Sequence, residues 1–228
     1  MKFVSLYSGG KDSTYAVWKA VQEGHEPARL LTFISENPES YMFHTPNIRL
    51  AKLGAQAMGL PIMERATKGV KEEELKDIFE DLKEVKAKDG VGMVVAGALA
   101  SKYQFERVKA ITDGLGLGLY SPAWQMDSVG YWGQLLGNGF EVMIVHVAAE
   151  GLGKEWLGKV ITRQNFPELK KLAEKYKFHL AFEGGEAESL VLDCPLFKKR
   201  VQILKGEVEW KKDSGTYHIS KAALVGKG

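Results

Sequence analysis

Phe3-Val4-Ser5-Leu6-Tyr7-Ser8-Gly9-Gly10-Lys11-Asp12-Ser13 opens the chain and decides how the rest is read. A compact apolar run predicts a buried strand over Phe3 to Tyr7, and the glycines break it. Tyr15, Ala16, Trp18, Ala20 and Val21 then recur at helical spacing between Ser13 and Glu23. In a strand–loop–helix unit each loop residue has a physical use. Gly9 and Gly10 permit backbone conformations closed to other residues and let an oxyanion come close. Ser13 is placed to cap the helix, whose free N–H groups and dipole attract phosphate. Lys11 adds a full positive charge, and Ser8 and Ser13 add hydroxyls. Asp12 would repel phosphate alone and makes sense where Mg²⁺ bridges the two. The Gly-x-x-x-x-Gly-Lys spacing of a Walker loop is absent. The plainer alternative is a tight turn with a solvated Lys-Asp pair.

Outward from this stretch, strand and helix signals alternate. Strands are expected at Arg29 to Ile34, Leu60 to Glu64, Met93 to Ala96 and Leu117 to Tyr120. Helices are expected from Pro46 to about Met58, Val70 to Lys86 and Gln104 to Asp113. Short βαβ connections build a parallel sheet covered on both faces. The fold class is therefore α/β, a doubly wound and mainly parallel sheet over residues 1–125, with ligands at the carboxyl ends of its strands. Residues 126–228 read as a smaller α+β domain. It has a helix from Asp127 to Leu136, a strand from Phe140 to Val147, a helix from Pro167 to Tyr176 and a C-terminal antiparallel hairpin turning at Asp213-Ser214-Gly215.

Composition sets limits on function. The 228 residues include 45% hydrophobic and 26% charged residues, which excludes a disordered chain. One cysteine allows neither an internal disulfide nor a cysteine-based metal cluster and fits a cytoplasmic protein. Cys194 reads as a packed thiol. With 31 basic and 29 acidic residues the formal charge is +2, which gives no support to naked nucleic acid as main partner. No apolar run approaches the ~20 residues of a membrane span. Homo-oligomerisation is left open.

Ser8 to Ser13 resembles the PP-loop of the N-type ATP pyrophosphatases, a Rossmann-like superfamily that cleaves ATP between its α and β phosphates. Three further stretches narrow the resemblance. They are Ser40 to Thr45, then Gly97 to Val108 with Pro122-Ala123-Trp124, then Glu183-Gly184-Gly185-Glu186-Ala187-Glu188-Ser189 running on to Asp193-Cys194-Pro195-Leu196-Phe197. With the loop, these are similar to the diphthine–ammonia ligase family over nearly the whole chain. Ala187, Lys102 and Phe105 depart from the residues usual in that family.

The resemblance implies an ATP-dependent ligase that adenylates the diphthine carboxylate of elongation factor 2. Ammonia then displaces AMP to give diphthamide, with pyrophosphate released. ATP with Mg²⁺ is the implied nucleotide, and Ser8, Gly9, Gly10, Lys11, Asp12 and Ser13 its phosphate cradle. Asp12 is the implied metal ligand, and His44 and Arg107 are candidate nucleotide contacts. Tyr103, Gln104, Gly184, Gly185, Glu188 and Asp193 are candidates for the acceptor side. Lys11, Asp12, Glu183 and Glu186 are the candidate catalytic groups. The acids around Gly184 and Gly185 could hold or deprotonate ammonium, bind a cation or ligate magnesium, or they could form a solvated polar turn. Diphthine carries a trimethylammonium, for which Trp124 and Phe197 are conceivable aromatic partners, with core packing the alternative for each. Two other readings stand beside this one: a PP-loop adenylating enzyme acting on RNA or a small-molecule acid, and a non-catalytic ATP or AMP sensor.

Overall fold

A computed structural model describes residues 1–35, 47–68, 73–97 and 102–228. The opening strand β1 (Lys2–Leu6) is central in a five-stranded sheet of order β3-β2-β1-β4-β5. Its partners are β2 (Glu26–Ser35), β3 (Ile62–Thr67), β4 (Met93–Val95) and β5 (Gly118–Tyr120), and every pairing is parallel. Phe3 and Val4 are both fully buried, because side chains alternate across a sheet covered on both faces. On one face Val4, Leu31 and Val94 pack beneath α3 (Glu73–Asp89) and α4 (Lys102–Gly114) through Ile78, Leu82, Val108 and Ile111. On the other face Phe3 and Leu30 pack beneath α1 (Lys11–Gln22) and α2 (Ala51–Met58). That second apolar layer runs on without a break into the rest of the chain.

Residues beyond β5 form α5 (Ser128–Gly137), β6 (Glu141–Val147), β7 (Val160–Ile161), α6 (Phe166–Tyr176), β8 (Ala187–Asp193), β9 (Arg200–Lys211) and β10 (Ser214–Val225). The five strands make an antiparallel sheet in which β6 pairs with β7, β8 and β10, and β10 with β9. The doubly wound α/β reading holds, with an antiparallel sheet in the C-terminal part. No helix of the described residues is long and apolar enough to cross a membrane.

Four local readings change. The helix expected from Pro46 begins at Ala51, after a 3-10 turn at Ile48–Leu50, and Pro46 itself lies outside the described residues. Two strands, β7 and β8, were not expected. Sequence alone fits a solvated charged face on the helix at Val70 to Lys86, but Arg29 bonds Asp89 at 2.6 Å, and Arg65 bonds Asp81 at 2.6 Å and Glu84 at 2.8 Å. The hairpin turns at Lys212-Asp213, and Gly215 lies within β10 opposite Trp210, where a side chain would strike the indole ring.

Candidate functional site

The sheet order reverses direction between β1 and β4, and the glycine loop lies at the carboxyl end of β1 beside that switch point. Gly9 takes a left-handed conformation (φ 80°), and Gly10 is the N-cap of α1. A glycine cap brings no side chain of its own to the helix end, which leaves the Asp12 and Ser13 N–H groups of the first turn uncapped toward an incoming anion. Ser13 is therefore not the cap expected from sequence. The helix starts at Lys11, and Ser13 sits inside its first turn. There its hydroxyl donates to the Gly10 carbonyl at 3.3 Å, accepts the Ser8 N–H at 3.2 Å and lies 3.2 Å from the Ser8 hydroxyl. The Ser8 hydroxyl in turn accepts the Gly10 N–H at 3.3 Å. The two serines brace the loop.

Strand β8 closes the loop from the far end of the sequence. The Val191 N–H donates to the Gly9 carbonyl at 2.9 Å, and the Lys11 N–H donates to Ser189 Oγ at 3.1 Å. A Cβ on Gly10 would stand 3.2 Å from the Ser189 carbonyl, and one on Gly9 3.3 Å from Ala51 Cα. The glycines thus let β8 and α2 wall the cradle.

Lys11 is only 3% exposed, which removes the solvated-pair alternative. Its ammonium donates to Asp12 Oδ2 at 2.8 Å and lies 5.4 Å from the centre of the Phe182 ring. Asp12 Oδ1 accepts the Tyr131 hydroxyl at 2.8 Å. Burial, then the charge of Asp12 and its hydrogen bond, then Glu183, raise the Tyr131 hydroxyl well above the ordinary tyrosine value. Lys11, Asp12 and Tyr131 therefore form one cluster, and the charge of Glu183 is felt there. Such a site presents a buried cation, an open helix N-terminus and acids beside them, which suits a polyanion carrying a divalent cation. Among the described residues no group of three or more His, Cys, Asp and Glu could hold a metal by itself. Asp12 fits a Mg²⁺ shared with phosphate oxygens, since a carboxylate has roughly four lone-pair sites and two are in use.

Phe182 begins the glycine–glutamate string and has a left-handed backbone (φ 64°), as does Gly185 (φ 81°). Glu186 clamps that turn: its two oxygens accept the His179 and Gly184 N–H groups, each at 2.8 Å. In this geometry Glu186 holds the loop over Lys11, and Glu183 is the residue of that loop next to Phe182.

Two family models, described as the diphthamide synthase N-terminal and C-terminal domains, match residues 1–119 and 130–225. The chain belongs to the diphthamide synthase family. Among curated relatives, the diphthine–ammonia ligase of Mus musculus is 34% identical over 226 residues, covering 91% of this chain and 84% of that one. The Homo sapiens diphthine–ammonia ligase is 34% identical over 227 residues, with 91% and 85% covered. That of Saccharomyces cerevisiae is 32% identical over 231 residues, with 87% of this chain and 34% of the yeast protein covered. A solved chain described as a predicted subunit of tRNA methyltransferase from Methanocaldococcus jannaschii is similar with a TM-score of 0.46 at 14% identity, over 86% of this chain and 98% of that one.

The remaining candidates are placed as follows. Glu188 lies on β8 opposite His146 of β6. Gly184 and Gly185 are exposed at the turn that Glu186 clamps. Asp193 ends β8, four residues and ~13 Å beyond Ser189, where it binds the Cys194 N–H at 2.8 Å and the Lys227 ammonium at 2.6 Å. It anchors the C-terminal tail there. Arg107 lines a groove of about 550 Å³ with Leu75 and Phe79, in the helix layer across the sheet from α1. Tyr103 and Gln104 fall in the first turn of α4, whose side chains are outside the described set, and His44 is outside the described residues.

Trp124 stacks on Phe105 at 4.2 Å, whereas Phe197 is a core residue against Gly54. Burial pushes the Cys194 thiol up to about 12, so it stays protonated and unreactive at neutral pH. Sequence reasoning missed Tyr131 and Phe182. Ser189 lay in the quoted string, but nothing local showed that it reaches Lys11.

Proposed function

We propose that this chain is an ATP-dependent diphthine–ammonia ligase, adenylating the diphthine carboxylate of elongation factor 2 in the cytoplasm and replacing AMP with ammonia. The observation that carries this reading is the buried Lys11 at the open N-terminus of α1, on a switch-point loop, in a chain of the diphthamide synthase family. In water a carboxylate does not acylate ammonia, because oxide is a poor leaving group. Attack by a carboxylate oxygen on the α phosphorus breaks the bond to the β-phosphate bridge and releases pyrophosphate. Negative charge grows on the departing group, where Lys11 and the first-turn N–H groups of α1 stabilise it. Mg²⁺ held by Asp12 and phosphate oxygens would add Lewis-acid stabilisation of the same charge.

Ammonia then attacks the acyl carbon, AMP departs, and the nitrogen gives up a proton. Glu183 is the acid we assign to receive it, since it is half-buried next to Phe182 and its charge is felt at Tyr131. Residues 1–125 serve as the ATP domain. Residues 126–228 serve as the acceptor domain and also complete the cradle through β8 and α5.

Incubation with diphthine-bearing elongation factor 2, ammonium and Mg·ATP is expected to yield AMP, pyrophosphate and amide in equal amounts. Stoichiometric ADP and phosphate would contradict the reading.

A further inference from the structure

Tyr131 reaches the loop from another part of the chain and is held there firmly. Asp127 caps α5 by accepting the Val129 and Gly130 N–H groups at 3.1 and 2.9 Å. The neighbouring Trp132 donates its indole N–H to the Leu180 carbonyl at 2.9 Å. The fully buried Tyr131 ring meets Tyr15 edge-on, with centres 5.2 Å apart. Its hydroxyl has one partner in the loop, Asp12 Oδ1, at 2.8 Å.

Lys11 therefore has a difficulty to overcome. Its ammonium lies 2.8 Å from Asp12 Oδ2, so one of its three N–H donors and part of its charge are already answered by a neighbour. To turn its full charge and all three donors toward a triphosphate, Lys11 must loosen that bond, and a partly buried carboxylate left alone would follow it or resist its departure. We propose that Tyr131 is a positioning residue which holds the Asp12 carboxylate in place when Lys11 turns to the triphosphate, so that the ion pair opens without Asp12 following. The bond is charge-assisted, with a neutral donor on an ionised acceptor, and is among the stronger kinds of side-chain hydrogen bond. The proposal rests on the assignment of this loop to ATP.

Tyr131→Phe removes the hydroxyl and leaves the ring in its packing place. Asp12 then depends on Lys11 alone, and the ammonium is harder to recruit. Calorimetric titration of Tyr131→Phe with ATP in saturating Mg²⁺ should show affinity reduced about tenfold or more. The kcat/KM for AMP formation should fall at least as far, with a thermal midpoint close to that of the wild type.

Asp12→Asn supplies the second arm. In that background, adding Tyr131→Phe should cause little further loss of ATP affinity, because the bond it removes is no longer charge-assisted. Losses that multiply in the double variant would show that the Tyr131 hydroxyl acts independently of Asp12 and would overturn the proposal. So would a Tyr131→Phe protein within twofold of wild type in both affinity and kcat. A wild-type protein that neither binds ATP nor releases AMP would instead overturn the ATP assignment, and this proposal with it.

Discussion

Lys11→Met is expected to reduce the rate of AMP formation by about 10²–10³-fold, the usual cost of removing one donor that stabilises charge in the transition state. Methionine keeps an apolar stem of similar length for a side chain that is 3% exposed, while the charge and its contact with the Phe182 ring are lost. Asp12 retains the Tyr131 hydroxyl, which limits the disturbance to the loop. Saturating ATP should not rescue the rate, because the lost interaction strengthens as the pyrophosphate leaves. Rapid-quench measurement of AMP with diphthine-bearing elongation factor 2 makes the comparison. A variant within threefold of the wild type would remove Lys11 from the chemistry.

Gly97→Ala should be nearly as damaging by a steric route. Gly97 lies just beyond β4, and its missing Cβ would stand 2.5 Å from the Asp12 carbonyl carbon, 2.6 Å from the Ser13 nitrogen and 2.8 Å from the Asp12 oxygen. All three are backbone atoms of the first turn of α1, so no side chain can rotate aside. The end of β4 and the helix must separate. Overpacking of this kind costs about 1–3 kcal/mol of stability. It also tilts the N–H groups away from the phosphates, and displacements near 1 Å can lower rates by roughly 100-fold. Thermal melting combined with AMP assays checks both effects. A Gly97→Ala protein with wild-type turnover would mean that the first turn of α1 does not hold the nucleotide.

Both substitutions act on a site that was only partly visible in the sequence. The cradle was legible because its information is local. An apolar run, two glycines, a cation and a helix occupy the first 22 residues, and their order alone implies an anion site at a strand's carboxyl end. The alternating strands and helices of the first sheet were legible for the same reason.

What closes the cradle was not legible. Ser189 meets Lys11 across 178 residues, and Tyr131 meets Asp12 across 119. Ala187–Asp193 reads Ala-Glu-Ser-Leu-Val-Leu-Asp, which has no clean alternation and owes its strand to pairing with β6. Glu186 shows the same limit. Its carboxylate suggested proton chemistry, but left-handed backbone at Phe182 and Gly185 bends the turn so that two N–H groups claim it. The start of α1 was misplaced because Ser13 is a favoured capping residue and Gly10 is a silent one.

The central claim is that the loop after β1 grips the pyrophosphate end of ATP while a carboxylate attacks the α phosphorus. Elongation factor 2 whose diphthine carboxylate carries ¹⁸O in both positions tests it in a single turnover. Mass spectrometry should find one heavy oxygen in AMP, the other in the new amide, and none in pyrophosphate. Unlabelled AMP, or label in phosphate or pyrophosphate, would contradict the account.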